Sequence, residues 1–516
     1  MSGGAGQNGP ITLKGPALAV TSIALALGTF MQVLDTTIAN VSLTTIAGNL
    51  GVSTDSSTWV ITAFAVANGV TVPLTGWLMR RFGVVRTFVT AVLAFTFASF
   101  LCGIAWSLPS LIVFRIIQGA VSGPMIPGSQ ALLLAVFPPE KRGTALAIWS
   151  MTTLVGPVAG PILGGYISDN YHWGWIFLIN VPVGLLTAAI TWRALKAHDT
   201  PTMKIPLDLV GIALLIFWVG ALQTVLDLGK NDDWFHSTFI TVAAILSGIG
   251  FFAWLIWELT DARPAVDLKL FKGRNFSLGT IALCLGYAVF FGNTLLLPLW
   301  LQQQLGYTAT WAGLVAAPSG IVAVFCTPFA ARISSKVDAR WMATFSFIAF
   351  AASYFMRAGY TMQADYYHFM LPMAVQGMGM STFFVAMVTI SLDGVPPDKV
   401  PSATGISNFA RITAGSFAAS LVTTIWDRRE ALHQSRLADI HTPFAQGYRI
   451  ATEGLHGLGL NELQAAAAIT RQMVGQAYLL SSVDIFAASA WLSLAMVPLV
   501  WLSRRPSAPS GPVAAD

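Results

Sequence analysis

The chain has 516 residues, of which 55% are hydrophobic and only 10% charged, against about 25% charged in a soluble domain. So little polar surface cannot cover a folded core of this size, which excludes a soluble enzyme or binding domain and makes the chain an integral membrane protein. Its 28 basic and 23 acidic residues give a net charge of +5, but the basic residues lie scattered between apolar runs instead of on one face, which excludes a nucleic-acid binder.

Residues 1–15 form a tail with a single Lys14. The apolar run 16–38 exceeds the ~7–15 residues of a secretory signal core, and no small-residue cleavage pattern follows it. It reads as a retained membrane helix. Its end carries FMQVLDTTIANVSL, residues 30–43, with Gln32, Asp35 and Asn40. A carboxylate at a helix centre costs about 2.5–3.5 kcal/mol on insertion scales, so intramembrane charges usually pair or line a cavity. Desolvation and a nearby arginine pull a carboxylate's proton affinity in opposite directions, which suits a proton site. Asp35 also lies only three residues from the expected helix end at Ile38, where it could serve as a cap. Both readings stand at this point.

The second span, 59–79, holds Asn68 and runs into GWLMRRFGVVR, residues 76–86, with Gly76, Arg80, Gly83 and Arg86. The basic turn fits loop topology; a contact with another part of the molecule is the alternative. Spans 87–106 and 111–136 follow. In the latter, Arg115, Gln118 and Ser122 share one helix face at i, i+3 and i+7. Because arginine does not lose its proton in proteins, Arg115 can tune a carboxylate but cannot itself carry a proton.

The fifth span, 144–168, contains GPVAGPILGG. Gly156, Gly160 and Gly164, with Gly165 beside them, make a smooth stripe that lets another helix approach closely. Pro157 and Pro161 remove backbone donors and are expected to kink the helix. Spans 175–195, 207–226, 237–257, 277–299, 311–333, 341–359, 368–391, 403–426 and 482–503 complete fourteen. Their deep polar residues include Asn180, Asn293, Gln376, Asn408 and Arg411. Each either lines a cavity or hydrogen-bonds a neighbouring helix. Cys102, Cys284 and Cys326 all fall in apolar runs and suit buried hydrophobes.

Lysine and arginine favour cytoplasmic loops. With both termini inside, the basic residues concentrate in every second loop, and the short outside loops hold only Lys230 and Arg357. The expected organisation is a tail 1–15, a six-helix half 16–200, an inserted pair 201–262, a second six-helix half 263–503 and a tail 504–516. The long hydrophilic segment 427–481 falls outside, with helix-favouring stretches within it.

The halves repeat. PPEKRGTALAI at 138–148 aligns with PPDKVPSATGI at 396–406, a spacing of 396 − 138 = 258. The same spacing carries Gln118-Gly119 onto Gln376-Gly377 and Asp35-Thr36 onto Asn293-Thr294. Tandem halves place a substrate site between them near the bilayer midplane. The second half has no twin of Asp35, so proton chemistry is expected in the first.

Four stretches, LDTTIANVSL, GWLMRRFGVVR, RIIQGAVSG (115–123) and GPVAGPILGG followed by HWGWIFLINVPVG (172–184), together resemble the major facilitator superfamily. Within it they are similar to the fourteen-helix drug:proton antiporters of the EmrB/QacA type, nearest the EmrB branch. Two positions depart from the pattern: Arg80 stands where the superfamily loop usually has Asp, and Gly174 where Arg is common. A gating ion pair through that Asp is therefore not carried over.

The resemblance implies an all-α membrane protein of the bacterial inner membrane with the major facilitator fold. It implies proton-coupled export of hydrophobic or amphipathic drugs, with a periplasmic adaptor and through it an outer-membrane channel as partners. Asp35 and Arg115 become the proton-coupling residues, and the GPVAGPILGG stripe the antiporter motif at the interface between halves. Gln32, Asn40, Asn68, Gln118, Asn293, Gln376, Asn408 and Arg411 are the candidate cavity residues. Two buried arginines against one aspartate favour acidic substrates, and segment 427–481 is a candidate docking loop for the adaptor. No GxxxxGK[ST] phosphate loop or metal-spaced histidine pattern is present, so no cofactor is expected and an ion gradient must supply the energy. Export of one dedicated metabolite, lipid or siderophore is the alternative.

Overall fold

A computed structural model describes residues 13–505, apart from 58, 139–140, 204–207, 262–263, 265, 335, 441 and 443–444. The described residues form helices and connecting turns, with no strand among them. In chain order the helices are α1 (Gly15–Val41), α2 (Leu43–Leu50), α3 (Thr54–Ser57), α4 (Trp59–Thr71), α5 (Thr75–Phe82), α6 (Val84–Gly103) and α7 (Leu108–Ser122). Next come α8 (Met125–Val136), α9 (Arg142–Asn170), α10 (Trp175–Leu178), α11 (Asn180–Leu195), α12 (Leu209–Leu228) and α13 (Thr238–Thr260). The second half holds α14 (Arg274–Gln304), α15 (Ala309–Ser334), α16 (Ala339–Arg357), α17 (Tyr366–Leu392), α18 (Val400–Ile440), α19 (Gln446–Gly457) and α20 (Glu462–Trp501).

Ten helical segments among the described residues are long and apolar enough to cross a membrane, and an eleventh if the bent pair α4–α5 counts as one span. The three remaining expected spans fall on α9, α16 and α18. Breaks have local causes. The 58° bend between α4 and α5 falls at Pro73, which has no backbone donor, and α7 gives way to α8 at Gly123-Pro124. Starts are capped: Ser107 and Ser110 form a reciprocal capping box at α7, Asn461 and Gln464 another at α20, and Asp208 accepts from Gly211 N–H at 2.8 Å to open α12.

Short connections make consecutive spans antiparallel, so the bundle has a proximal face, where the chain enters at α1 and leaves at α20, and a distal face. Arg274 Nε donates to the Leu502 carbonyl at 2.9 Å, and Arg504 N–H to Asn275 Oδ1 at 2.7 Å, which ties the chain's exit to the start of α14. The internal repeat is visible in packing. Gly119 on α7 lies against the Phe64 carbonyl of α4, and Gly377 on α17 lies against the Ser319 carbonyl of α15. In both halves only glycine permits that approach. The inserted pair α12–α13 zips through Trp218, Trp254 and a Ser247–Trp218 carbonyl bond of 3.1 Å, and leans on α18 through Ser420, which donates to the Leu226 carbonyl at 2.7 Å.

The described part of segment 427–481 is largely helical. The α18 helix continues without a break to Ile440 and α20 begins at Glu462, so two membrane helices run on past the distal face with α19 between them. The sequence pattern marks where hydrophobicity ends, and helical hydrogen bonding does not have to end with it. Side chains brace the exit: Trp426 Nε1 donates to Ser482 Oγ at 2.8 Å, Asp484 accepts from Arg429 and pairs with His433 at 2.7 Å, and Lys230 pairs with Asp427 at 2.9 Å.

Candidate substrate and proton site

Asp35 does not cap a helix end. The α1 helix continues six residues beyond it to Val41, and the carboxylate is wholly buried. Arg115 Nη1 donates to its Oδ2 at 2.6 Å, Gln118 Nε2 to its Oδ1 at 3.1 Å and Asn180 Nδ2 to the same Oδ1 at 3.0 Å. The guanidinium is itself anchored: Nε donates to the Val60 carbonyl at 3.1 Å, Nη1 donates to Gln118 Oε1 at 2.7 Å, and the Phe64 ring lies 4.1 Å from its centre. Asn180 also donates to Ser99 Oγ at 3.1 Å. Helices α1, α4, α6, α7 and α11 therefore converge on one ion pair. Such charges persist in a low-dielectric interior only when pairing and hydrogen bonds are both nearly complete.

The glycine stripe positions this cluster from behind. Its glycines face α1 of their own half, while Ile162 of the same motif packs against Gly313 of the other half. A Cβ at Gly156 would stand 2.5 Å from Val33 Cγ1, one at Gly160 2.7 Å from Thr37 Cβ, and one at Gly164 3.0 Å from the Ile38 carbonyl. Thr37 Oγ1 donates to the Gly156 carbonyl at 3.2 Å. Gly165 has nothing within 4 Å of where its Cβ would be. The α9 helix is continuous from Arg142 to Asn170; the side chains of Pro157, Pro161 and Asn40 lie outside the described residues. The same helix also reaches the other half near its start, through Gly143 against Ser334.

The remaining expected cavity residues separate into two groups. Asn68 donates to Ser122 Oγ at 2.6 Å, and Asn293 to Ser489 Oγ at 2.8 Å, so both tie helices within one half. Gln118 belongs to the ion-pair cluster, and Gln376 accepts from Arg357. Asn408 instead crosses between halves, donating to Gln130 Oε1 at 2.8 Å, and accepts from Arg411 Nη2 at 3.0 Å. Arg411 lies 4.6 Å from the Tyr287 ring centre and 5.6 Å from that of Phe384, while Trp149 of the first half meets Phe384 edge-on at 5.6 Å. Buried Arg411 Nε and Gln32 Oε1 have no hydrogen-bond partner among the described residues. A cation, an amide pair and aromatic rings thus meet where the halves touch.

Sequence reasoning missed Gln130, Trp149, Tyr287 and Phe384, since aromatic and amide residues in an apolar run give no sign of which face they occupy. It also placed Arg357 in an outside loop. That arginine ends α16 and is fully buried.

On the proximal face Gly76 abuts the opposite half, where a Cβ would stand 2.6 Å from Ser402 Cα. Gly83 takes φ +93°, and any side chain there would meet the Asp199 carboxylate. Asp199 accepts from Val85 N–H at 2.9 Å and pairs with Arg86 at 3.5 Å, fastening the start of α6. Arg80 folds back, its Nε donating to the Gly76 carbonyl at 3.3 Å, and its own carbonyl accepts from Met203 N–H at 2.9 Å. Beside these contacts a cavity of about 690 Å³ opens between the halves, lined by apolar Leu132, Leu146 and Val388 and by charged Arg142, Lys336 and Arg505.

Repeated helical halves that meet across polar contacts, each with a buried arginine in its interior, describe a multi-pass membrane transporter. The Major Facilitator Superfamily model matches residues 25–419, and the chain belongs to that superfamily. It is 46% identical over 501 residues to the multidrug export protein EmrB of Escherichia coli (strain K12), covering 97% of this chain and 98% of that protein. It is also 46% identical over 494 residues to the fatty acid resistance protein FarB of Neisseria gonorrhoeae, covering 96% and 97%. A solved proton:xylose symporter of the superfamily shares the fold, with a TM-score of 0.57 at 14% identity over 90% of this chain and 94% of that one.

Proposed function

We propose that the protein is a proton-driven exporter of hydrophobic and amphipathic toxic compounds that works by alternating access. The buried Asp35–Arg115 pair carries this reading, because it is a titratable charge held in one half with no acidic twin at Asn293 in the other. Protonating Asp35 removes the attraction that holds Arg115, Gln118 and Asn180 around one point, so the cluster has two electrostatic states for a gradient to bias. The glycine stripe fixes α1 to α9, and α9 also touches α15 of the other half, so a shift in α1 is felt at the interface between halves.

The substrate site lies at that interface, around Arg411, Asn408, Gln130, Tyr287, Phe384 and Trp149. Rings supply affinity for apolar bodies, and Arg411 favours compounds bearing a negative charge. The proximal face is cytoplasmic, in keeping with its basic loops, and the membrane is the bacterial inner membrane. The distal projections of α18, α19 and α20 then stand in the periplasm, where they form the docking surface for an adaptor that leads to an outer-membrane channel. Replacing α19 with a Gly-Ser linker should leave vesicle transport intact and abolish co-purification with a co-expressed adaptor.

The deciding experiment is efflux driven by a proton gradient in reconstituted vesicles, comparing wild type with Asp35→Asn and Arg115→Ala. Both variants should lose uphill export; unchanged efflux in both sinks the mechanism. The likeness to FarB, equal in identity to that with EmrB, supports a second reading in which one dedicated amphipathic acid is carried. A competition profile across unrelated drugs separates the two.

A further inference from the structure

We infer that Arg357 forms an anion-binding site near the distal end of the second half, suited to the acidic headgroup of an amphipathic compound. The side chain has no exposed surface, and among the described residues no carboxylate pairs with it. Its Nη2 donates to Gln376 Oε1 and to Met373 Sδ at 3.4 Å, while Nε and Nη1 have no partner among the described residues. The hydroxyls of Tyr354 and Tyr360 are buried and unpartnered as well, and Tyr354 lies with its ring centre 5.2 Å from the guanidinium. Buried polar groups are nearly always satisfied, and a stranded guanidinium keeps its charge. Arg357 Nε and Nη1 and the two tyrosine hydroxyls can all donate. What would complete it is an anion with several acceptor oxygens.

The surroundings set the rest of the ligand. A cavity of about 410 Å³ adjoins the end of α16, lined by Ala358, Tyr360, Met362, Leu479, Leu480 and Val483. Tyr360 lines the cavity and its backbone N–H donates to the Arg357 carbonyl at 3.0 Å, its ring stacked on Trp300 with centroids 6.2 Å apart. An apolar tail in the cavity would bring its headgroup towards Arg357. Comparison with the first half points the same way. Arg357 takes the place of Ser99 (357 − 99 = 258), while Gln376 matches Gln118 and Asn293 matches Asp35. The first half supplies a carboxylate for its arginine from its own chain. The second half holds the cation and the glutamine and leaves the carboxylate to a ligand. This site deepens the export reading and rests on it for the identity of the ligand, an amphipathic acid on its way out.

The test uses the purified full chain, with tryptophan fluorescence and thermal unfolding followed against decanoate below its micelle concentration. Decanol serves as the uncharged control and sodium chloride as the simple anion. Wild type should bind decanoate saturably, and Arg357→Gln should weaken that binding about tenfold or more without altering the response to decanol. Gln376→Glu, which sets a carboxylate beside the guanidinium, should raise the unfolding temperature and weaken decanoate binding as much as Arg357→Gln does. If Arg357→Gln does not fold, Gln376→Glu decides alone, and undiminished decanoate binding in it overturns the site. Equal decanoate affinity in wild type and Arg357→Gln, or displacement of decanoate by equimolar chloride, also overturns it. Export by wild-type vesicles is scored separately: export without binding removes this site alone, and binding without export keeps the site and removes the export reading.

Discussion

Asp35 and Arg115 hold an ion pair 2.6 Å long between α1 and α7, with almost no surface of either side chain exposed. Taking two charges out of water is repaid here by a ring of amides and a backbone carbonyl, and removing one partner strands the other at a cost of about 3–5 kcal/mol. The single variants Asp35→Leu and Arg115→Leu should each lower the unfolding temperature sharply. The double variant should recover most of the loss and still fail to export. A double variant that pumps uphill would reduce the pair to a structural brace.

The close approach of α1 to α9 sets a second expectation. Gly160→Val places branched carbons against Thr37 and should cost about 1–3 kcal/mol through overpacking, with transport lost in parallel. Gly165→Ala, five residues along the same helix, has open space for its methyl group and should leave both unfolding temperature and transport near wild type. Equal damage from both substitutions would mean that the stripe's facing has been misassigned.

Contact between the halves on the proximal face sets a third expectation. Gly76→Val puts branched carbons where a Cβ alone would stand 2.6 Å from Ser402 Cα, so the halves should no longer close on this face and export should fall sharply. Gly48→Val, where nothing lies within 4 Å of the added Cβ, should export near the wild-type rate. Undiminished export by Gly76→Val would show that closure at this contact is not part of the cycle.

Asp338, which opens α16 on the proximal face, gives a pH dependence. Burial acts to raise its carboxyl, but hydrogen bonds from the Arg340 side chain and N–H, with the charges of Arg340 and Arg505, outweigh it and hold the group below its ordinary 3.8. Arg340 Nη2 donates at 2.7 Å and Arg505 lies at 3.6 Å. A carboxyl depressed in the folded state stabilises above its unfolded value and loses that contribution as pH falls through the folded value. Wild-type unfolding temperature should therefore drop more steeply below about pH 4 than that of Asp338→Asn. Parallel curves would count against the carboxylate's role.

Much of this was legible in the residues. Apolar runs located the spans, the 258-residue repeat exposed the halves, and the cost of intramembrane charge singled out Asp35 and Arg115 before any geometry was known. Three things were not legible. Helix ends are set by hydrogen bonding as well as hydropathy, so α1 outruns Ile38 and α18 outruns residue 426. The facing of a glycine stripe depends on which neighbour comes close, and GPVAGPILGG looks the same whether its glycines meet α1 or α15. Arg357, near an expected outside boundary, reads as a topological marker until its neighbours are known to bury it.

The uninterrupted length of α18 has a mechanical consequence. Arg411, at the meeting of the halves, is joined to Ile440 by unbroken helix, which at 1.5 Å per residue makes a rod of roughly 44 Å. A rod of that length pivoted near Arg411 swings its tip by about 4 Å for a tilt of roughly 5°, so small rearrangements around the substrate are geared up at the far end. With α20 braced against it through Trp426, the pair forms a pointer whose position reports the state of the membrane interior to whatever rests on its tip.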